Sequence, residues 1–392
     1  PPVFPVEEAL SDRCPDPTPA AVLGRGATLH RVTLSDAVAR CNDGSPPVLY
    51  VRGSTDPEHA ADWLVHLNGG GYCDGYETCA ERWCGEGSYD AANMSSRWAP
   101  ETADGRGVMS AEPANPLAGF QVAQLYYCTS DLWIGREPAV TLDGDPPFTL
   151  SFAGHEVIGE ALAALAAGVV SDDGEAQLPP LVDPHLVVLS GSSAGAYGAV
   201  AQLGRFVDAF PGSRVVGAPD AIFSPSPESL SPALASAWSD AVAARYDGVL
   251  GPLWSGYVDA ACLASGERPA TCSDVHALLT TYRRAEVAYH HDLRDPVLYD
   301  TLARVGASLD EYAAAGEATL RGYAALDGVG VHGANCALHT AYDDDRAWFG
   351  EVVTDPVTGE AAAPSDVLRT VLGGAPISAI DTADGGGSQC GP

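Results

Sequence analysis

The chain contains no lysine. Its 20 strong cations are all arginine, set against 52 Asp and Glu, for a formal charge of −32 over 392 residues. So negative a surface excludes nucleic acid and anionic membrane as partners, since both demand a positive field. It would also repel a polyanionic substrate at low salt. The acidity itself reads as solubility or adaptation to a salty habitat and names no substrate. No apolar run approaches the roughly 20 residues that a bilayer crossing needs, so no membrane span is expected. No C-x-x-C pair occurs, which removes zinc-ribbon spacing. No internal repeat is present. The chain opens Pro1-Pro2-Val3 with neither Met nor a signal-like apolar segment, so any export signal is expected to have been removed or left out.

Cysteine is present, in the even number of ten spread along the whole chain. That pattern reads as disulfides in an exported protein, secreted or periplasmic. Cys73–Cys79 and Cys262–Cys272 are the pairs that lie close in sequence, and the other pairings are not legible.

The stretch Leu186-Val-Val-Leu-Ser-Gly-Ser-Ser-Ala-Gly-Ala-Tyr197 organises the rest. An apolar run passing straight into small residues reads as a buried strand that breaks sharply into a helix. G-x-S-x-G at such a junction is a nucleophile elbow, and it selects Ser193, flanked by Gly191 and Gly195. Alone, the pattern is also that of a Gly/Ser-rich loop, so the serine needs partners.

Around the elbow the chain alternates strands and helices. Strands are expected near 28–34, 48–51, 63–67, 120–127, 213–218 and 287–291, and helices over 152–170, 194–210 and 308–326. Residues 1–24 read as a Pro-rich lead-in on the surface, 74–118 as loops and short helices, and the tail from Gly373 as irregular. The helix-rich stretch 224–284 interrupts the rhythm and reads as a cap or lid. The expectation is one α/β domain over 1–392, with a mostly parallel central sheet flanked by helices.

A serine nucleophile needs oxyanion donors, a base and an orienting carboxylate. The N–H of Ala194, next after the serine, is one donor. Gly69-Gly70-Gly71, directly after the 63–67 strand, can turn further N–H groups onto the same point. In the chain order Ser, acid, His, the late histidines are His332 and His339, and Asp292, Asp295 and Asp300 follow the 287–291 strand. Pattern alone does not choose among them. His290-His291-Asp292 is weak as a metal site, because adjacent strand residues point to opposite faces. Asp343-Asp-Asp345 lacks the glycine and distal Glu of a calcium loop. No metal and no cofactor is expected.

Several segments together resemble the pectin acetylesterase family, which includes the Notum-like carboxylesterases. They are Cys41-Asn-Asp-Gly-Ser-Pro-Pro47, Trp63-Leu-Val-His-Leu-Asn-Gly-Gly-Gly-Tyr-Cys73 followed by Cys79, Ser95-Ser-Arg-Trp98, Tyr127-Cys-Thr-Ser-Asp-Leu-Trp-Ile-Gly135 and Gly191-Ser-Ser-Ala-Gly195. The resemblance runs from about Ala37 to Trp348. It implies an α/β-hydrolase fold and a Ser193, Asp295, His339 triad. The family histidine follows a Cys by three residues, as His339 follows Cys336, and the family acid segment is nearest to Asp292-Leu-Arg-Asp295. Asp220 resembles a family Asp that is not the triad acid. Asn68 stands where the family usually carries Glu, Tyr72 where plant-type members carry Trp, and Thr340 where a Cys follows the histidine. The implied oxyanion hole is Gly70, Gly71 and Ala194, with Tyr72 and Trp133 at the substrate.

The activity expected from these residues is that of a secreted, monomeric serine carboxylesterase acting on acetyl or other acyl esters, carbohydrate esters among them. A lipase-like or protein-deacylating esterase for longer chains stays open, since fold-level analogy does not fix a substrate. A serine peptidase is disfavoured by the resemblance. A non-catalytic binding protein retaining the fold is disfavoured by the intact Ser/His pair.

Overall fold

The computed structural model describes residues 6–14, 27–35, 37–385 and 387–390. Most of the Pro-rich lead-in therefore lies outside the described residues. Its described part forms a short helix, Val6–Ala9, and ends at Cys14, which is bonded to Cys84.

Ten strands build one sheet. In chain order they are β1 (Ala27–Thr33), β2 (Val48–Arg52), β3 (Asp62–Leu67), β4 (Thr102–Gly105), β5 (Gln121–Leu125), β6 (Leu186–Ser192), β7 (Arg214–Asp220), β8 (Glu286–His290), β9 (Val329–Gly333) and β10 (Ser378–Ile380). Across the sheet the order is β10-β9-β8-β7-β6-β3-β5-β2-β1-β4. From β10 to β5 every pairing is parallel, while β2, β1 and β4 close one edge antiparallel. Both faces are covered, so the central strands are apolar without alternation. Every residue of β3 and of β6 is buried. The parallel strands end together, which gathers the loops after β3, β6, β7, β8 and β9 along one rim of the sheet.

The helix α1 (Gly154–Ala167) precedes β6, and α2 (Ala194–Ala209) follows it without a linker. α3 (Pro232–Arg245) and α4 (Val275–Thr280) belong to the insertion between β7 and β8, and α4 packs on α2. α5 (Leu309–Ala324) covers β9.

The tail departs from the sequence expectation. Residues 378–380 pair in parallel with β9 as the edge strand β10, rather than running irregularly. β9 itself, Val-Gly-Val-His-Gly, was not legible as a strand, because its two glycines lower strand propensity and only pairing with β8 and β10 fixes it. Among the described residues no helix is long and apolar enough to cross a membrane. All ten cysteines are paired: Cys73–Cys79 and Cys262–Cys272, the two local pairs, with Cys14–Cys84, Cys41–Cys128 and Cys336–Cys390.

Candidate active site

Ser193 sits between β6 and α2 with φ 54° and ψ −117°. A non-glycine residue held at positive φ stores strain that only a well-packed surround maintains. The surround here is backbone. A Cβ at Gly195 would lie 1.8 Å from the Leu67 carbonyl oxygen, so only glycine lets α2 start this close to β3. The Ser193 N–H donates to the Asp220 carbonyl at 2.9 Å, pinning the elbow to the end of β7.

Ser193 Oγ lies 2.8 Å from His339 Nε2, and His339 Nδ1–H donates to Asp295 Oδ2 at 2.8 Å. Asp295 is wholly buried and serves a second purpose. Its Oδ1 accepts from the N–H groups of Val297 and Leu298 at 2.8 and 3.0 Å, capping the helix Pro296–Ala303. One oxygen is thus fixed by the backbone, and the other is aimed at the imidazole. Asp292 points elsewhere: its Oδ2 accepts from the Leu338 N–H at 3.1 Å. Asp300 is spent on an exposed pair with Arg304. His332 is fully buried, its Nε2–H donates to the Glu351 carbonyl at 2.9 Å, and burial pushes its pKa down to about 4.

The Gly69–Gly71 loop crosses in front of the elbow. Gly71 has φ 62°, and a Cβ there would meet Tyr89 at 2.5 Å. Among the described residues the N–H groups of Gly70, Gly71 and Ala194 make no hydrogen bond inside the protein. Unpaired N–H groups of this kind are what an oxyanion requires.

Trp133 is fully buried, with its Nε1–H donating to the Asn68 carbonyl at 2.9 Å. It braces the glycine loop from behind and presents no surface to a substrate, contrary to the sequence expectation. It lies in a tight turn around Asp131, whose carboxylate accepts from Thr129, Trp133 and Gly154. Burial pushes the Asp131 carboxyl up to about 6 against those donors. Tyr72 is 36% exposed, lies edge-on to Trp254 and carries the Arg245 guanidinium 4.8 Å above its ring. It stands at the rim, where the insertion after β7 reaches the glycine loop.

Ser193 and His339 open into a cleft of about 480 Å³. Its walls include Tyr50, Tyr89, Tyr126, Gln124, Asp104 and Arg106, and none of the residues 224–284. Burial raises the Tyr50 and Tyr126 phenols above their ordinary value, so both remain neutral. These six wall residues come from four separate segments, and no spacing in the sequence announces them.

Two weak sequence candidates separate in space. Asp343 pairs with His66 at 3.3 Å, Asp344 caps the helix Asp345–Gly350, and Asp345 accepts from the Gly107 N–H at 2.6 Å, so the three aspartates do not converge. His291 turns away to the Tyr312 hydroxyl at 3.0 Å. The alternation that parts His290 from His291 places His290 and Asp292 on one side, where Glu351 joins them.

A mostly parallel sheet, a strained serine at a strand-to-helix turn and a glycine loop one strand away define the α/β-hydrolase class. The solved structure of the Wnt deacylase Notum from Drosophila is similar in fold, with a TM-score of 0.67 at 23% identity, covering 88% of this chain and 93% of that one. The pectinacetylesterase family model matches residues 25–231, and the chain belongs to that family. Among curated relatives, mouse palmitoleoyl-protein carboxylesterase NOTUM is 28% identical over 211 residues, 52% of this chain and 37% of that protein. The Schmidtea mediterranea protein of the same name is 32% identical over 167 residues, 42% of this chain and 28% of that protein. A Danio rerio relative, inactive palmitoleoyl-protein carboxylesterase notum1b, is 34% identical over 107 residues, 27% of this chain and 72% of that protein. The chain thus matches well under half the length of the first two.

Proposed function

We propose that this chain is a secreted serine carboxylesterase working through an acyl-enzyme. The observation that carries the proposal is the unbroken line from Ser193 Oγ through both nitrogens of His339 to the buried Asp295 carboxylate, 2.8 Å at each step. His339 Nε2 takes the serine proton as Oγ attacks the ester carbonyl. The N–H groups of Gly70, Gly71 and Ala194 hold the oxyanion, and the alcohol leaves with the proton from His339. Water then repeats the sequence on the acyl-enzyme and releases the acid. Asp295 keeps Nδ1 protonated, so that Nε2 presents its lone pair to the serine.

The cleft favours a hydroxyl-rich alcohol with a short acyl group. Phenols, an amide and a charged pair line it, and such walls suit the faces and hydroxyls of a carbohydrate. The insertion after β7 then acts as a cap that meets the glycine loop at Tyr72. Five disulfides support an extracellular setting. The names of the curated relatives favour a second reading, removal of a longer acyl group from a protein.

Ser193→Ala is expected to abolish p-nitrophenyl acetate hydrolysis and fluorophosphonate labelling while leaving the circular dichroism spectrum intact. Full activity in the variant, or a wild type that neither hydrolyses nor labels, would sink the proposal. A series of p-nitrophenyl esters run beside acetylated xylan and pectin decides the substrate. A preference for octanoate over acetate would move the assignment to the second reading.

A further inference from the structure

A second group of ionisable side chains is sealed behind the loop that carries His339. Asp220 Oδ2 accepts from the N–H groups of Ala341 and Tyr342 at 3.0 and 2.9 Å, and Asp292 Oδ2 accepts from Leu338 N–H. The far sides of these residues meet around His290. Its Nδ1 lies 2.6 Å from Asp220 Oδ1 and donates to it, which turns Nε2 the other way. Nε2 lies 3.6 Å from Asp292 Oδ1 and 3.6 Å from Glu351 Oε2.

Among the described residues, four polar atoms here have no hydrogen-bond partner: His290 Nε2, Asp292 Oδ1 and both Glu351 side-chain oxygens. The three side chains are each exposed by 1% or less. Buried polar groups are almost always satisfied, and buried carboxylates need compensating positive charge. A separation of 3.6 Å is too long for a hydrogen bond. It does match ligands of one ion: three donors about 2.1 Å from a zinc ion stand about 3.4–3.6 Å apart. All three ligand atoms lie within 4.8 Å of one another. The set is one imidazole nitrogen and two carboxylate oxygens, a mixture that suits zinc. The imidazole donates its other nitrogen to a carboxylate, as zinc-bound histidines commonly do.

We propose that His290, Asp292 and Glu351 bind a divalent cation, zinc foremost, as a structural brace under the His339 loop. The ion neutralises carboxylates that otherwise face one imidazole. It fixes Asp292, which holds the residue before His339, and it acts through His290 on Asp220, which holds the two residues beyond Thr340. It touches no reacting atom, and the acyl transfer proposed above does not pass through it. Because the ligands are enclosed, the ion enters during folding and exchanges slowly.

Zinc content measured by mass spectrometry tests this. The full chain is produced with ZnCl2 in the medium and dialysed exhaustively against EDTA. One equivalent of zinc per chain is expected in the wild type and in Ser193→Ala, with a tenfold or greater loss in Glu351→Gln and in His290→Gln. Crystals of the wild type should show an anomalous peak at the zinc absorption edge between the three side chains. Substoichiometric zinc with no such peak would overturn the proposal and leave a shared proton joining Asp292 and Glu351. Equal zinc in wild type and Glu351→Gln would overturn it as well. Should the variants fail to fold, the wild-type count and anomalous map decide alone.

Discussion

Asp295→Asn separates the two duties of one carboxylate. Oδ1 caps the helix Pro296–Ala303 and Oδ2 accepts the hydrogen bond from His339 Nδ1–H. Asparagine can keep its carbonyl oxygen on the Val297 and Leu298 N–H groups, which forces its NH2 toward His339. Nδ1 must then accept, so the ring carries its proton on Nε2 and offers Ser193 a donor where a base is needed. In a serine protease triad, whose Asp-to-Asn change is the standard worked case, this tautomer swap costs about 10⁴ in kcat, or about 5.5 kcal/mol. A similar loss of kcat/KM on p-nitrophenyl acetate is expected here, because the 2.8 Å line is the same length at both steps. The cap survives, so thermal unfolding should shift by no more than about 1 kcal/mol. Asp300→Asn, which touches only Arg304 on the surface, should leave kcat/KM within about twofold, since exposed pairs of this kind contribute little. Retention of more than a tenth of wild-type activity in Asp295→Asn would refute this account of the acid. So would an equal loss in Asp300→Asn.

Gly71→Ala should lower kcat by about a hundredfold or more with little change in KM, the signature of a lost oxyanion donor. The cause is a Cβ placed 2.5 Å from the Tyr89 ring at a φ of 62°, and wild-type kcat in the variant would exclude Gly71 from the hole. His155 gives a pH-dependent expectation. Burial, with help from Arg205, lowers its pKa to about 4, below its ordinary value of 6.5. The folded state therefore resists protonation more than the unfolded one, so this stability is present above about pH 6.5 and is lost as pH falls toward 4. The full shift converts to roughly 3 kcal/mol, and partial exposure reduces it to ~1–2 kcal/mol. His155→Phe keeps a ring against Tyr257 and should flatten urea-unfolding free energy against pH in that window. An unchanged slope would show that His155 does not titrate on unfolding.

The β3 and β6 strands were readable because a strand buried on both faces is apolar throughout, and the elbow announced itself by its glycines. His339 was readable only through the family resemblance, in which the histidine follows a Cys by three residues, and the bond from Cys336 to Cys390 in the tail was not readable. Asp295 carried a signal independent of any family: Asp followed by Pro296 is a helix N-cap with proline at the first turn, and the structure uses it so. Local chemistry of that kind survives in one dimension. The cleft walls do not, since Tyr50 on β2, Tyr126 just after the neighbouring β5 and Tyr89 in a loop meet only in the folded chain. Trp133 was misplaced for a related reason. Its segment belongs to the site, but a turn with positive φ at Ser130, Leu132 and Trp133 folds the indole inward.

Asp220 shows why the parts of the site are held in register. It is the last residue of β7, next to the strand that ends in the elbow. Its carbonyl accepts from the Ser193 N–H, and its carboxylate accepts from Ala341 and Tyr342 beyond His339. One fully buried residue therefore ties the nucleophile turn to the loop bearing the base. The two elements are 146 residues apart in sequence, and this one residue bonds to both, through its backbone and its side chain. Such a link transmits any shift of His290 to the loop, because His290 holds the remaining oxygen of the same carboxylate at 2.6 Å. The geometry of the acyl-transfer site is thus set from beneath as much as from the cleft. Substitutions at Asp220 or His290 therefore bear on the position of the loop that carries His339.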